Sequence, residues 1–347
     1  MSSGNPTKIE RKTRQIILKK RPIGPVTLDN FEMRHCYLPA LKKGQLLIRA
    51  IYMSLDPYMR GRMDDTKSYA QNFQVGQPLK ARVIGEVVDS KNPEFICGDV
   101  VLGVFDWADF SIVSGSDLQH INPMDTPLKY YLGPLGMPGM TAWIGMELAA
   151  PRLGETVFIS AASGGVGQIA GQIAKLKNCR TIGSAGTDEK VKFLLGELGF
   201  DKAFNYKTVS SVLGALQCAA PNGIDIYFDN VGGEILEAAL DHANEYARFI
   251  QCGMISQYNL KREEILGIRN LTHINRKRIR MEGFIVSDHA NRSLEFMDKM
   301  KNWLKNNEMK YRIDTTQGLE NAASAFISMM NGANFGKKII QIGADNY

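Results

Sequence analysis

The chain has 347 residues, 44% hydrophobic and 22% charged, with a formal net charge of +6 at pH 7. This length suits two domains, and the composition excludes a disordered chain and a long coiled coil. No apolar run approaches the about 20 residues that span a bilayer, and the polar amino terminus lacks the apolar core of a secretion signal. We therefore expect a cytoplasmic protein that does not enter a membrane.

The five cysteines stand singly, which argues against a disulfide framework and a cysteine-rich zinc site. Two basic clusters, at 11–14 and 276–280, raise the question of nucleic acid. Neither is accompanied by interleaved aromatic residues or a helix-turn-helix pattern. We expect no nucleic-acid partner, and an anionic cofactor would account for part of the charge.

The first part of the chain predicts an all-β lobe. Three β-rich runs, at 45–51, 81–89 and 100–105, are separated by Gly, Pro and Asp turn signals. At the carboxyl end, a strand-like run at 337–342 follows a helix at 319–330, and we expect it to return to this lobe.

The middle of the chain alternates strands and helices, the pattern of a parallel sheet with crossover helices. The sequence predicts strands at 156–161, 181–184, 203–206, 224–228, 247–252 and 281–286. It predicts helices at 167–177, 189–198, 211–219, 234–243 and 292–306. Six strands in this arrangement predict an α/β fold with a doubly wound, Rossmann-type sheet.

The first predicted strand runs directly into the glycine-rich turn AASGGVG at 161–167 and then into an apolar-periodic helix. A diphosphate needs backbone N–H donors and a helix amino terminus at close range, so side chains must be missing there. Gly164 would allow the close approach, and Gly167 would let the helix pack on the strand. Ala162 replaces the usual first glycine, but the strand before and the helix after supply the expected context. A tight turn without a ligand is the alternative.

The end of the second strand distinguishes NAD from NADP, because a carboxylate there binds the free ribose hydroxyls of NAD and repels a 2′-phosphate. This strand ends Ser184-Ala185-Gly186 without an acid. Asp188 is predicted to cap the next helix, and Lys190, one turn further, can reach the phosphate; Tyr206 can add a hydroxyl. We therefore predict NADP(H). In the alternative interpretation Asp188 binds the ribose and Lys190 is a surface residue.

Six motifs in order carry a family resemblance over nearly the whole chain. They are SLDPYMRGRM at 54–63, GMPGMTAW at 136–143, the turn at 161–167, YFDNVGG at 227–233, CGMISQYN at 252–259 and EGFIV at 282–286. Together they resemble the zinc-independent leukotriene B4 12-hydroxydehydrogenase/prostaglandin reductase family of medium-chain dehydrogenases/reductases. Within it, they are similar to microbial curcumin reductases and plant alkenal double-bond reductases.

The resemblance implies a GroES-like catalytic domain at 1–128, completed by 314–347, and an NADP-binding Rossmann domain at 129–313. It implies NADPH in the cleft between them and usually a homodimer. It places the diphosphate on Gly164, Gly165, Val166 and Gly167, the 2′-phosphate on Lys190 and Tyr206, and the nicotinamide half of the cofactor beside Asn230. It further places the cofactor beside Cys252, Gly253, Met254, Ile255, Ser256 and Tyr258, on backbone groups of Phe284, Ile285 and Val286, and under Asn334.

The sequence also argues against a catalytic zinc ion, which needs about three N or S ligands. Where related alcohol dehydrogenases supply Cys and His, this chain has Ser54 before Asp56, and Ile84-Gly85-Glu86 without a His. The five histidines are isolated. We expect no metal.

The predicted reaction is NADPH-dependent reduction of a carbon–carbon double bond conjugated to an aldehyde or ketone. Hydride addition to the β-carbon leaves negative charge on the carbonyl oxygen, which a hydroxyl can stabilise without a metal. Tyr258 is the first candidate donor, and Tyr58 and Tyr52 are the alternates.

Three alternatives remain. A quinone oxidoreductase would use a nearly identical site, and a dehydrogenase of hydroxylated lipids would reverse the hydride transfer. From a different class, the chain would be a non-catalytic NADPH- or nucleic-acid-binding protein.

Overall fold

The computed structural model describes residues 12–347. Residues 1–11, which carry the interpretation of the amino terminus and the start of the first basic cluster, lie outside the described residues. The described chain forms a two-stranded hairpin, a seven-stranded mixed sheet and a six-stranded parallel sheet.

The hairpin joins β1 (Lys12–Leu18) to β2 (Phe31–Tyr37) in antiparallel register. This hairpin was not predicted from the sequence. It is fastened to the mixed sheet by backbone bonds such as Ile16 N–H to the carbonyl oxygen of Trp107, at 2.8 Å. Arg14 also pairs with Asp109 and Glu320, so this part of the first basic cluster is neutralised locally.

The mixed sheet begins with the three strands that the sequence predicted for the β lobe, β3 (Gln45–Ser54), β4 (Lys80–Ser90) and β5 (Val100–Asp106). The short helix α1 (Met59–Arg62) and the strands β6 (Phe110–Ser114) and β7 (Gln119–Ile121) were not predicted from the sequence. Apolar side chains of these strands and of the hairpin pack around Trp107, which is fully buried.

Helix α2 (Met137–Ala149) then leads into the parallel sheet. The elements that follow are β8 (Thr156–Ile159), α3 (Gly167–Leu176), β9 (Arg180–Ala185), α4 (Asp188–Gly196), β10 (Lys202–Asn205), α5 (Val212–Ala219), β11 (Ile224–Asp229), α6 (Gly233–His242), β12 (Ala243–Gln251), α7 (Thr272–Arg276), β13 (Arg280–Gly283) and α8 (Ser293–Lys305). The strand order is β10-β9-β8-β11-β12-β13. All six strands predicted from the sequence are present.

The remaining elements are β14 (Ile313–Gln317), α9 (Ala322–Met330) and β15 (Lys337–Gln341). β15 returns to the first sheet after a helix, as predicted, whereas β14 was not predicted from the sequence. β15 lies between β14 and β3, with Ile339 opposite Ser54. We call the hairpin, the mixed sheet and α9 the β lobe, and the parallel sheet with its helices the parallel lobe. The predicted fold class, a Rossmann-type sheet beside a separate β-rich lobe, is confirmed.

Two local predictions were wrong. The predicted strand at 281–286 ends at Gly283, and a 3-10 helix begins at Val286. Asp188 does not cap α4: the hydroxyl of Thr187 accepts the N–H of Lys190 at 3.3 Å, because Thr187 has the extended backbone of a cap residue.

No helix within residues 12–347 is long and apolar enough to cross a membrane.

Candidate active site

The site is built where β8 and β11 lie side by side and the strand order reverses direction. Connections from these two strands leave on opposite faces of the sheet, so a crevice opens at their carboxyl ends. The turn after β8 enters that crevice. Ala161 there adopts the left-handed region with φ of 47°, and a methyl group at Gly167 would lie 2.5 Å from its carbonyl oxygen. Only glycine at 167 therefore lets α3 pack this closely on the strand.

The turn presents free backbone donors. The N–H groups of Gly165, Val166 and Gly167 have no acceptor among residues 12–347, whereas Gly164 donates to the carbonyl oxygen of Ala161 at 2.9 Å. Three free N–H groups at the start of a ten-residue helix form a site for an anion, since the helix dipole adds partial positive charge there. Gly164 contributes close backbone approach rather than a free donor.

Two lysines, Lys190 and Lys207, lie beyond the end of β9. A methyl group at Gly186 would lie 3.2 Å from the hydroxyl of Tyr206 and 3.3 Å from Cε of Lys207, so both side chains pass this strand end. The ammonium of Lys190 donates to the carbonyl oxygen of Gly332 at 2.7 Å. Burial, and then Lys207, lowers the pKa of Lys190. Lys207 was not predicted from the sequence, where its only signal is its place directly after Tyr206.

Asp188 is already engaged at this strand end. Its carboxylate accepts the side-chain amide of Asn205 at 2.8 Å. This bond holds the start of α4 against the end of β10, and it occupies one of the oxygens that a ribose hydroxyl would need.

The loop after β11 is organised by a buried carboxylate. Oδ1 of Asp229 accepts the N–H groups of Val231 and Gly232 at 2.9 and 2.8 Å, and the hydroxyls of Tyr227 and Ser160. Burial raises the pKa of Asp229, although these hydrogen bonds oppose the rise. Next to it, the amide of Asn230 donates to the carbonyl oxygen of Ser160 at 2.8 Å.

The turn after β12 is anchored on that loop. The N–H groups of Cys252 and Gly253 donate to the carbonyl oxygen of Asp229 at 2.9 and 3.0 Å. Further along, Ile255 and Ser256 donate to the carbonyl oxygens of Asn230 and Val231. Burial, and then the charge of Asp229, raises the pKa of the Cys252 thiol to about 12, so this thiol stays protonated. The predicted segment from Cys252 to Tyr258 therefore lies along the crevice.

Tyr258 reaches from this turn to the β lobe. Its phenol oxygen accepts the N–H of Met254 at 3.2 Å, and its own proton has no acceptor among residues 12–347, so it is available for donation. The ring packs against the core of the β lobe, and burial raises the phenol pKa. Asn259 is held across the crevice by the guanidinium of Arg60, at 3.2 Å.

Two more tyrosines, Tyr58 and Tyr69, take part in electrostatic interactions near Tyr258. Burial, and then Asp56, raises the pKa of Tyr58 to about 12, with a further contribution from Tyr69. Tyr69 in turn interacts with Cys252 and contributes to the raised pKa of Tyr258. Tyr69 thus interacts electrostatically with both Tyr58 and Tyr258, although it is 63% exposed. Tyr69 was not predicted from the sequence, because it lies outside any recognisable motif.

Tyr52 is not brought into this group. Its hydroxyl donates to Oδ2 of Asp345 at 2.9 Å, near the carboxyl end of the chain. Burial, and then this hydrogen bond, raises the pKa of Tyr52 to about 12.

The remaining predicted residues lie at the borders of the crevice. Phe284, Ile285 and Val286 follow the carboxyl end of β13, beside β12. Asn334 donates its amide to the carbonyl oxygen of Gly336 at 2.8 Å, in the loop whose Gly332 binds Lys190.

Within residues 12–347, no three His, Cys, Asp or Glu side chains form a group that could hold a metal ion. Related alcohol dehydrogenases supply zinc ligands in the regions that correspond to 54–56 and 84–86 of this chain. The polar residues of these two regions have other partners here. Ser54 donates to Asp56 at 2.5 Å, Asp56 pairs with Lys337, and Glu86 pairs with Arg49. Metal independence stays a prediction.

An anion-binding turn at the switch point of a doubly wound sheet, closed by a second lobe that carries tyrosines, defines the class of two-lobed dinucleotide-dependent oxidoreductases. Comparisons with known proteins give the family. Residues 14–121 match a family described as the N-terminal domain of oxidoreductase, and residues 165–302 match one described as zinc-binding dehydrogenase.

Individual relatives match over nearly their whole length. The chain is 43% identical to the putative NADP-dependent oxidoreductase YfmJ of Bacillus subtilis, over 94% of this chain and 97% of the relative. It is 41% identical to the NADP(+)-dependent 2-alkenal reductase of Nicotiana tabacum, over 97% and 99%. The crystal structure of CurA from Vibrio vulnificus in complex with NADPH superposes with a TM-score of 0.91 at 39% identity, covering 96% of this chain and 100% of that one.

The chain is also 39% identical to the NADPH-dependent curcumin reductase of Escherichia coli, over 97% of this chain and 99% of the relative. It therefore belongs to the zinc-independent medium-chain dehydrogenase/reductase family that includes these alkenal and curcumin reductases. The predicted family is confirmed.

Proposed function

We propose that the chain uses NADPH to reduce the carbon–carbon double bond of α,β-unsaturated aldehydes and ketones, without a metal. The observation that carries the proposal is the phenol of Tyr258. Its oxygen is fixed by the N–H of Met254, and its proton is free at the crevice between the lobes. A fixed donor of this kind stabilises the negative charge that develops on a carbonyl oxygen.

The residues around the crevice fit NADPH. Gly165, Val166 and Gly167 would bind the diphosphate through their free N–H groups, with Gly164 allowing its close approach. Lys190, Lys207 and Tyr206 would surround the 2′-phosphate, because cations and a hydroxyl suit a dianion. Asn334, in the loop bound by Lys190, would cover this end of the cofactor.

The nicotinamide half would lie between the turns after β11, β12 and β13. Asn230 would border it on one side, and the backbone of Phe284, Ile285 and Val286 on another. The turn formed by Cys252, Gly253, Met254, Ile255 and Ser256 would form the third wall. Its hydrogen bonds to the loop after β11 would hold Tyr258 in place beside the nicotinamide half.

Bound NADPH supplies the hydride. The chain's own part is to hold the carbonyl oxygen of the substrate at Tyr258 and to exclude water from the crevice. Tyr58 and Tyr69 are the next candidates for holding the substrate or moving the proton to the α-carbon, because Tyr69 interacts electrostatically with both Tyr58 and Tyr258. Tyr52 is the most distant candidate, since its hydroxyl binds Asp345.

The names of the relatives support the substrate class. Relatives over nearly the whole chain include a 2-alkenal reductase and a (+)-pulegone reductase from plants. Both names describe substrates that contain a conjugated double bond. Solved quinone oxidoreductases share the fold at 16–19% identity, which supports the architecture alone.

The test is an acceptor panel assayed by the loss of NADPH absorbance. Alkenals, benzalacetone-like enones and curcumin should oxidise NADPH, and mass spectrometry and NMR should give products with a saturated α–β bond and an intact carbonyl. Turnover with quinones alone would replace the proposal with quinone reduction. No turnover with any acceptor would leave a binding protein, and loss of activity on chelation would contradict metal independence.

We further propose the domain division, location and assembly. The division is 1–128 with 314–347 for the catalytic domain and 129–313 for the cofactor domain, supported by the course of the two sheets. All five cysteines are unpaired, which suits a reducing compartment such as the cytoplasm. β13 ends the parallel sheet without a further neighbour in the described chain, an edge at which a second copy could form the homodimer. Light scattering after gel filtration tests the assembly.

A further inference from the structure

The segment 310–312 crosses from α8 to β14 and lies along α3. Two glutamines of α3, four residues apart and therefore on one helix face, hold it by paired amide bonds. Gln168 accepts the N–H of Arg312 at 2.8 Å and donates to its carbonyl oxygen at 3.1 Å. Gln172 does the same for Lys310, at 2.8 Å for both bonds. The helix that begins at the glycine turn thus fixes both neighbours of Tyr311.

Tyr311 points from the segment 310–312 to the glycine turn. Its hydroxyl donates to the carbonyl oxygen of Gly165 at 3.1 Å. The ring lies so close to Gly133 that a methyl group there would be 2.5 Å from a ring carbon, which leaves the ring little freedom. Burial, and then Asp56, raises the pKa of this phenol well above its ordinary value, so the hydroxyl remains a donor.

The carbonyl of Gly165 belongs to the same peptide unit as the N–H of Val166. A trans peptide is planar, and its C=O and N–H point in opposite directions. A donor that holds the carbonyl on one side therefore turns the N–H of Val166 to the other side. That N–H is one of the three in the turn without an acceptor among the described residues.

We infer that Tyr311 is a positioning residue for cofactor binding: its hydroxyl holds the Gly165–Val166 peptide with the N–H directed at the diphosphate of NADPH. The inference rests on the proposed function, because it needs a dinucleotide on this turn. Without the hydroxyl, the peptide would have more freedom to rotate, and ordering it would reduce the binding free energy of NADPH. The loss of affinity should concern the contact to the diphosphate and not the contact to the 2′-phosphate.

The test compares Tyr311→Phe with the wild type by isothermal titration calorimetry with NADPH and with 2′-AMP, which lacks the diphosphate. We expect NADPH binding to weaken about fivefold, the effect of one hydrogen bond. The affinity for 2′-AMP and kcat at saturating NADPH should be unchanged. The matched control is Tyr131→Phe, because Tyr131 is a buried tyrosine of the same core whose hydroxyl has no partner among residues 12–347. It should bind both ligands as the wild type does.

A second variant, Gln172→Met, provides the test if Tyr311→Phe fails to fold. It removes the two hydrogen bonds to the backbone of Lys310 but keeps the phenol of Tyr311. It should weaken NADPH binding about twofold and leave the affinity for 2′-AMP unchanged. Equal weakening for both ligands in the variant that folds would mean general loosening and would overturn the inference. Unchanged NADPH affinity in Tyr311→Phe would overturn it while leaving the proposed function in place. A wild type that does not bind NADPH would overturn both.

Discussion

The ammonium of Lys337 lies 2.6 Å from Oδ1 of Asp56, and the two side chains are only 4% and 5% exposed. The same ammonium donates to the carbonyl oxygen of Leu55 at 2.6 Å, and the hydroxyl of Ser54 donates to the second oxygen of Asp56. Burial lowers the pKa of Lys337, and Asp56 opposes this shift. The pair joins β15 to the end of β3, and Cδ of Lys337 would lie 3.2 Å from a methyl group at Gly165. It therefore fastens β15 to the loop after β3 within the β lobe, beside the glycine turn.

Breaking this pair should destabilise the protein strongly. Lys337→Met leaves the charge of Asp56 buried without a cation, which costs about 3–5 kcal/mol of unfolding free energy. Adding Asp56→Asn to that variant should recover part of the loss, because the uncompensated charge is then gone. Urea unfolding measures both. Lys80→Met is the control, since Lys80 pairs with Asp106 at the surface and should change stability by at most about 1 kcal/mol. The single variant Asp56→Asn is measured as well. If the double variant loses as much unfolding free energy as Lys337→Met and Asp56→Asn lose when added together, the two residues do not depend on each other and the prediction is wrong.

The three predicted tyrosines should differ in their effect on turnover. Tyr258→Phe removes the free proton at the crevice and should lower kcat with an enone by about 10²-fold, the lower range for loss of an acid or oxyanion donor. Tyr58→Phe should have a smaller effect and Tyr52→Phe the smallest, because Tyr52 binds Asp345 instead. NADPH affinity should stay close to that of the wild type in all three. Steady-state kinetics decide the order, with the exposed Tyr246→Phe as control. A full rate in Tyr258→Phe would remove this residue from the mechanism.

The pH profile should follow the raised pKa of Tyr258. Burial stabilises the neutral phenol, so the proton is retained to higher pH than the ordinary phenol value of 10.0. If the protonated phenol is the donor, kcat should be level from about pH 7 to about pH 9 and fall only at more alkaline pH, through the folded-state pKa. Tyr258→Phe should lack that alkaline fall. A decline already near neutral pH that disappears in Tyr258→Phe would mean that the phenol pKa is lowered instead.

Much of the parallel lobe could be predicted from sequence because its signals are local. Each of the six strands is a short apolar run, and the glycine turn stands between a strand and a periodic helix. The hairpin of β1 and β2 gave no such signal. Its strands are separated by 12 residues whose one regular element is a 3-10 helix of three residues, and it is held by contacts to Trp107 and Asp109 far along the sequence.

The site was predictable where a motif carried it and not where distant segments meet. Lys337 and Asp56 are 281 residues apart, and Tyr311 and Gly165 are 146 apart. No periodicity or spacing relates such pairs. The sequence also could not tell that Tyr52 would bind Asp345 while Tyr69 would interact electrostatically with Tyr258. Both outcomes depend on how the carboxyl-terminal segment and the loops pack.

Lys190 and Lys207 should determine the preference for NADPH over NADH. Each would lose a charge-assisted contact to the 2′-phosphate on replacement by Ala, so the KM for NADPH should rise about tenfold or more while the KM for NADH changes little. Lys207→Ala is the cleaner variant, because Lys190 also binds Gly332 and its loss would loosen the loop that carries Asn334. Lys175→Ala is the control, since this lysine pairs with Asp201. Equal changes in both KM values for Lys207→Ala would mean that its ammonium does not meet the phosphate. The preference would then have to come from Lys190 and Tyr206 alone.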